Sequence, residues 1–145
     1  MTNLSLDTLL EQARIQSVLN LYATALDARD WAALDGVFTA DASANYGELG
    51  EFRGRQAIVD LVSHVLNQCG PTQHLLGTYR IAVDGDSATA ACYLQAIHVG
   101  LGAHQGKLMT VWGEYRDRLV KTADGWRIVH RQLAGIHAEG DIGVV

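Results

Sequence analysis

At 145 residues the chain has the size of one domain and can bury most of the apolar surface it carries, so a single domain over 1–145 with one core and one pocket is expected. Apolar residues make up 48% of the sequence and charged residues 19%, with one proline, a composition that excludes a disordered chain. The formal charge of −5, with basic residues scattered, excludes an electrostatic footprint for nucleic acid.

The first residues, MTNLSLDTLLEQ, contain no basic n-region, and no segment approaches the roughly 20 apolar residues that span a bilayer, so a cytoplasmic protein with no membrane contact is expected. From Ser5 to Arg29, Leu6, Leu9, Leu10, Ala13, Val18, Leu21, Tyr22, Ala25 and Leu26 recur at helical spacing and predict one long helix. Thr8 and Glu11 stand at capping-box spacing, with Ser5 and Asp7 as alternative caps. Asp30 can cap a short second helix over Trp31–Phe38. Asp41–Tyr46 reads as a short strand that turns at Gly47–Gly50, and Ile58, Leu61, Val62, Val65 and Leu66 mark a third helix over Gln56–Gln68, stopped by Gly70-Pro71.

Beyond Pro71 the pattern changes to strands: His74–Val83, Ala88–Val99, Lys107–Val120 and Trp126–His137. Asp84-Gly85-Asp86 and Ala123-Asp124-Gly125 separate them as tight turns, and Gly100–Gly106 as a longer connection. Helices first and an antiparallel meander second predict an α+β fold, with three N-terminal helices on one face of a strongly curved, mostly antiparallel sheet. Ala138–Val145, glycine-rich and without periodicity, reads as a loose tail or as a segment folded across the pocket mouth or a neighbouring subunit.

Polar residues on the inner face of such a sheet are the candidates for chemistry. Thr72, His74, Leu76 and Thr78 share a face by strand alternation. Asp27 lies at the C-terminal end of the long helix, where the helix dipole disfavours a carboxylate unless a partner compensates. A histidine partner would do so, and would itself become a general base with a fixed tautomer. The plainer alternative is that Asp27 caps the helix at Trp31 and His74 is a hydrogen-bonded histidine at a sheet edge. Tyr22 and Tyr46 read either as core aromatics or as donors to a substrate carbonyl. His98 shares a face with the small residues Ala90, Cys92 and Ala96, which leave room for a ligand. His64, His104, His130 and His137 show no metal-ligand spacing, Gly100–Gly106 is no phosphate loop, and Cys69 and Cys92 read as buried thiols. No motif implies a metal, flavin or nicotinamide.

The order of elements, with Tyr22-Ala23-Thr24-Ala25-Leu26-Asp27, Asp30-Trp31, Phe38, Asp41-Ala42, Gly54, His74 and Asp124-Gly125-Trp126-Arg127-Ile128, resembles the SnoaL-like branch of the NTF2-like superfamily over nearly the whole chain. It is similar to scytalone dehydratase, the bile acid 7α-dehydratase and the lindane dehydrochlorinase. The resemblance implies a cone-shaped fold and an Asp27–His74 dyad. It also implies a pocket role for Tyr22, five residues before the aspartate as in the bile acid enzyme. Tyr46 and His98 resemble the pocket tyrosine and second histidine of scytalone dehydratase. Leu26 stands where that enzyme has a tyrosine, and the Ile97-His98 region where the bile acid enzyme has an aspartate, which leaves the substrate open.

The expected activity is that of a cofactor-independent lyase or isomerase acting on a hydrophobic ring compound, with Trp31, Leu76, Leu94, Val111 and Trp112 helping to line an apolar pocket. An aldol-type cyclase would use the same dyad, and a non-catalytic binding or assembly module would use the same fold without it. The resemblance further implies association with copies of itself, as a trimer ahead of a dimer.

Overall fold

The computed structural model describes residues 4–144. Helix α1 spans Leu6–Ala28 and is capped by Ser5, whose hydroxyl accepts from the Thr8 backbone N–H at 3.1 Å. Its buried stripe is Ile15, Leu19, Tyr22, Ala23, Ala25 and Leu26, whereas Leu6, Leu9 and Leu10 are exposed. The inward face thus begins one to two turns later than the run of leucines suggests. A 3-10 helix, Trp31–Gly36, follows Asp30, and strands β1 (Phe38–Asn45) and β2 (Glu51–Arg53) form a hairpin. Helix α2 (Arg55–Leu66) buries Ile58, Val62 and Leu66, one residue per turn. Of the three expected helices, the middle one is a 3-10 helix that ends at Gly36 rather than Phe38, and the third comes after two strands.

Strands β3 (Thr72–Asp84), β4 (Ser87–Val99), β5 (Leu108–Thr122) and β6 (Gly125–Glu139) make the expected meander. The six-stranded sheet has the order β2-β1-β6-β5-β4-β3; β1 runs parallel to β6 and every other pair is antiparallel. The architecture is α+β, with α1 and α2 contributing to one apolar core that includes Leu19, Ile58, Leu94 and Ile128.

Bulges in β3 and β6 break the strict alternation of side chains, and the pairing of β1 with β6 also shifts between Phe38 and Ser43. In β3, Gly77 faces Tyr93 and Arg80 faces Ala91, so Thr78 and Tyr79 together stand opposite Cys92. Thr78 takes φ +51° and becomes exposed, and the inner face passes to Tyr79, Ile81 and Val83. The expected sharing of a face by Thr72, His74, Leu76 and Thr78 therefore ends at Leu76. In β6, Val129 is extra between the Leu119–Ile128 and Arg118–His130 pairs, and Ile136 is extra between Gly113–Gly135 and Trp112–His137.

The chain end is not loose over the described residues, of which Val145 is not one. Strand β6 continues to Glu139, Ile142 is 4% exposed within the core, and Val144 packs against it. Gly140, at φ +90°, lies where a Cβ would come within 1.9 Å of the Leu108 carbonyl, so only glycine fits this fold-back. Cys69 and Cys92 are free and buried.

Candidate active site

Helix α1 ends against the start of β3, which brings Asp27 to Thr72 and His74. Oδ1 of Asp27 accepts from the His74 ring at 2.7 Å and from the Thr72 hydroxyl at 2.9 Å, and Oδ2 accepts the His74 backbone N–H at 2.9 Å. Burial pushes the Asp27 carboxyl up, but these three donors together outweigh it and hold the group below the usual carboxylate range. An ionised carboxylate only accepts, so Nδ1 of His74 carries a proton, and in the neutral ring the lone pair is on Nε2. The His74 side chain is 6% exposed, and no protein group among the described residues bonds its Nε2. The capping role that was the alternative for Asp27 belongs instead to Asp30, whose Oδ1 accepts from Ala33 N–H at 3.3 Å.

His74 opens onto a cavity of about 150 Å³ whose walls include Tyr22, Tyr46, Leu94, His98 and Val111, with Leu61 and Val65 from α2 closing one side. His98 holds its ring edge-on to His74, 5.7 Å between centroids, and its Nδ1 donates to the Met109 carbonyl at 3.1 Å. A carbonyl only accepts, so Nε2 of His98 is also a lone-pair site. Burial, the largest influence, lowers the His98 pKa and keeps the ring neutral at physiological pH. Tyr22 and Tyr46, from α1 and the β1–β2 turn, share a hydrogen bond of 2.7 Å, and burial raises both phenols, so both keep their protons.

The structure thus assembles His74, Tyr22, Tyr46 and His98 around one cavity together with Leu94 and Val111, and Asp27 stands behind His74 rather than in the cavity wall. Three other expected lining residues lie elsewhere. Leu76 and Trp31 are half-buried against the core beyond the cavity wall. Trp112 is on the outer sheet face, stacked on His137 at 5.5 Å, because Val111 beside it points inward and neighbours in a strand point to opposite faces. A wider open groove of about 660 Å³ also lies on that outer face, between Arg80, Arg116, Arg118 and Gln132, away from the paired carboxylate and imidazole.

Sequence reasoning missed the floor of the cavity. Tyr115 lines it, and the Arg131 guanidinium lies between the Tyr115 and Tyr22 rings, 3.9 and 4.3 Å from their centroids, bound in a bidentate pair to Asp117. Counting in twos from Trp126 puts Arg131 outside; the bulge at Val129 turns it in. Tyr115, Asp117 and Leu119 do alternate inward, and that was the available signal.

A family model for the SnoaL-like domain matches residues 7–132. The chain belongs to that family. Among SnoaL-like relatives, an uncharacterized protein of Mycobacterium tuberculosis is 36% identical over 131 residues, covering 88% of this chain and 87% of its own length. Three solved structures share the fold. LinA superposes with a TM-score of 0.84 at 18% identity, covering 96% of this chain and 95% of its own. A protein from Novosphingobium aromaticivorans, provisionally designated a scytalone dehydratase, gives 0.82 at 22% identity over 92% and 89%. An NTF2-like superfamily protein from Salmonella enterica gives 0.81 at 21% identity over 94% and 97%. The fold of this SnoaL-like chain is accordingly the NTF2-like α+β fold, and among the described residues no helix is long and apolar enough to cross a membrane.

Proposed function

We propose that this SnoaL-like protein is a cofactor-independent lyase or isomerase that removes a proton beside the carbonyl of a small hydrophobic ring compound. The observation that carries the reading is the 2.7 Å bond from His74 Nδ1 to Asp27, which leaves Nε2 bare beside an apolar cavity. A largely apolar cavity of about 150 Å³ suits roughly one benzene-sized ring. His74 Nε2 takes the proton, and the negative charge that develops on the carbonyl oxygen receives a hydrogen bond from the Tyr22–Tyr46 pair. His98 is neutral and its Nε2 only accepts, so its role is to hold the substrate hydroxyl rather than to protonate it. The leaving hydroxide then takes its proton from the imidazolium of His74 and departs as water. Protons balance without a further acid. Exposed Leu75, Tyr93 and Ile97 on the outer sheet face support self-association as part of the same proposal.

The test is a panel of single-ring β-hydroxy ketones incubated in D₂O and followed by proton NMR, for wild type and for His74→Gln. The expected result is deuterium uptake at the carbon beside the carbonyl, or loss of water, with wild type alone. Equal uptake by both proteins would sink the base assignment. Binding of the same compounds to both proteins, with no exchange by either, would favour the binding-module reading.

A further inference from the structure

Arg29 takes no part in the steps above, yet its conformation is costly. It ends α1 at φ +57° and ψ +31°, in the left-handed region where glycine is the common occupant and an arginine is strained. Its side chain offsets that strain. Nη1 donates to the Leu26 carbonyl and to the Thr72 hydroxyl, both at 2.8 Å, and Nη2 donates to the Gly70 carbonyl at 2.7 Å. The bond to Leu26 closes the end of α1 on itself, and the bond to Gly70 ties that end to the segment leading into β3. The bond to Thr72 does something else.

A guanidinium has no lone pair, so in this contact the Thr72 oxygen can only accept. Its single proton is therefore left for Asp27 Oδ1, 2.9 Å away. The same oxygen takes the His74 Nδ1–H, and the other carboxylate oxygen is held by the His74 backbone N–H. Every hydrogen bond in the chain Arg29 to Thr72 to Asp27 has one permitted direction, and the carboxylate at its end has one orientation. The Arg29 charge also adds to burial in keeping His98 neutral.

We propose that Arg29 and Thr72 are positioning residues that orient the Asp27 carboxylate and thereby hold His74 in its Nδ1–H tautomer. The orientation stands on geometry alone; its effect on turnover rests on the function proposed above. The two can therefore fail separately.

The experiment reads the downfield proton NMR resonance of the His74 Nδ1–H in the intact chain, assigned by its absence in His74→Gln, with thermal unfolding run alongside. Thr72→Val removes the hydroxyl at nearly constant shape, Thr72→Ser restores it, and Arg29→Gly relieves the backbone strain while removing the guanidinium. The expected result is a resonance lost or moved upfield in Thr72→Val and Arg29→Gly but retained in Thr72→Ser. On any substrate turned over, Thr72→Val is expected to lower kcat about tenfold with KM nearly unchanged. A role confined to tying helix to strand would lower the unfolding temperature and leave the resonance of the folded protein in place; that outcome, in Thr72→Val and Arg29→Gly alike, overturns the proposal. A resonance that responds as expected in a protein that turns over no substrate would leave the positioning role standing and count against the proposed function.

Discussion

Two carboxylates in the molecule are held at nearly equal distance by partners of opposite character, one by a guanidinium and one by an imidazole. Asp117 and Arg131 bridge β5 and β6 through two 2.8 Å bonds, and both side chains are fully buried. Burial alone would lower the Arg131 pKa, but Asp117 and the flanking tyrosines drive it well above its ordinary value, so the pair stays charged. Asp27 and His74 meet at 2.7 Å with the carboxylate 24% exposed, and one imidazole nitrogen remains unused beside a cavity. The first pair has its facing atoms committed to each other. The second keeps an open lone pair, and that difference separates a structural ion pair from a candidate base.

The contrast can be broken at either end, and the largest effect is expected in the buried pair. Arg131→Met leaves the Asp117 carboxylate buried without its cation, which should cost about 3–5 kcal/mol of stability in urea titrations. Combining it with Asp117→Leu should recover most of that loss. If the single and double variants are equally unstable, the charge pairing is not the cause.

His74→Gln should do the reverse, lowering the unfolding free energy in urea by only about 1 kcal/mol through the weakened bond to Asp27, while lowering kcat/KM roughly a hundredfold to a thousandfold on any substrate found. Tyr46→Phe should lower kcat by about tenfold, less than the loss of a sole oxyanion donor, because Tyr22 remains beside it. A tenfold or larger change in KM with kcat intact would assign Tyr46 to ground-state binding instead.

The smallest effects are on acid stability. The depressed pKa of Asp27 means that its contribution is fully present above the unfolded carboxylate range, about 4. It is lost as pH falls through the lower folded value. Asp27→Asn should flatten that part of the stability–pH curve measured by urea midpoints. Glu11 is held down to about 2, first by the Trp126 indole N–H at 2.5 Å and then by Lys121, so Glu11→Gln should remove a separate slope between about 4.5 and 2. An unchanged curve in either variant would mean that the carboxylate contributes no differential stability.

Much of the site was readable because its chemistry sits at element ends. Asp27 ends a helix whose apolar spacing is plain, and His74 lies just after the break at Gly70-Pro71, so their meeting follows once the helix packs on the first long strand. Arg29, between Asp27 and Asp30, carried no pattern; its role depends on a left-handed φ and on carbonyls 41 and 3 residues away. Val111 and Trp112 could not both line the pocket, because neighbours in a strand point to opposite faces, and the alternation already argued against that pairing.

The sequence by itself determined the α+β class, the order of helices and strands, the turns between them and the helix-end aspartate, because periodicity, caps and glycine-containing turns act over a few residues. Only the tertiary structure decided that β1 lies parallel to β6, that bulges at Thr78 and Val129 exchange the faces of their strands, and that Arg131 enters the core. The β1–β6 pairing is a choice between distant segments, and the exchanged faces and the inward Arg131 each turn on one added residue in a ladder, where a shift of one reverses every side chain beyond it. The tyrosine pair at the cavity and the paired charge beneath it were settled at that level, where pairing register rather than local pattern chooses the neighbours.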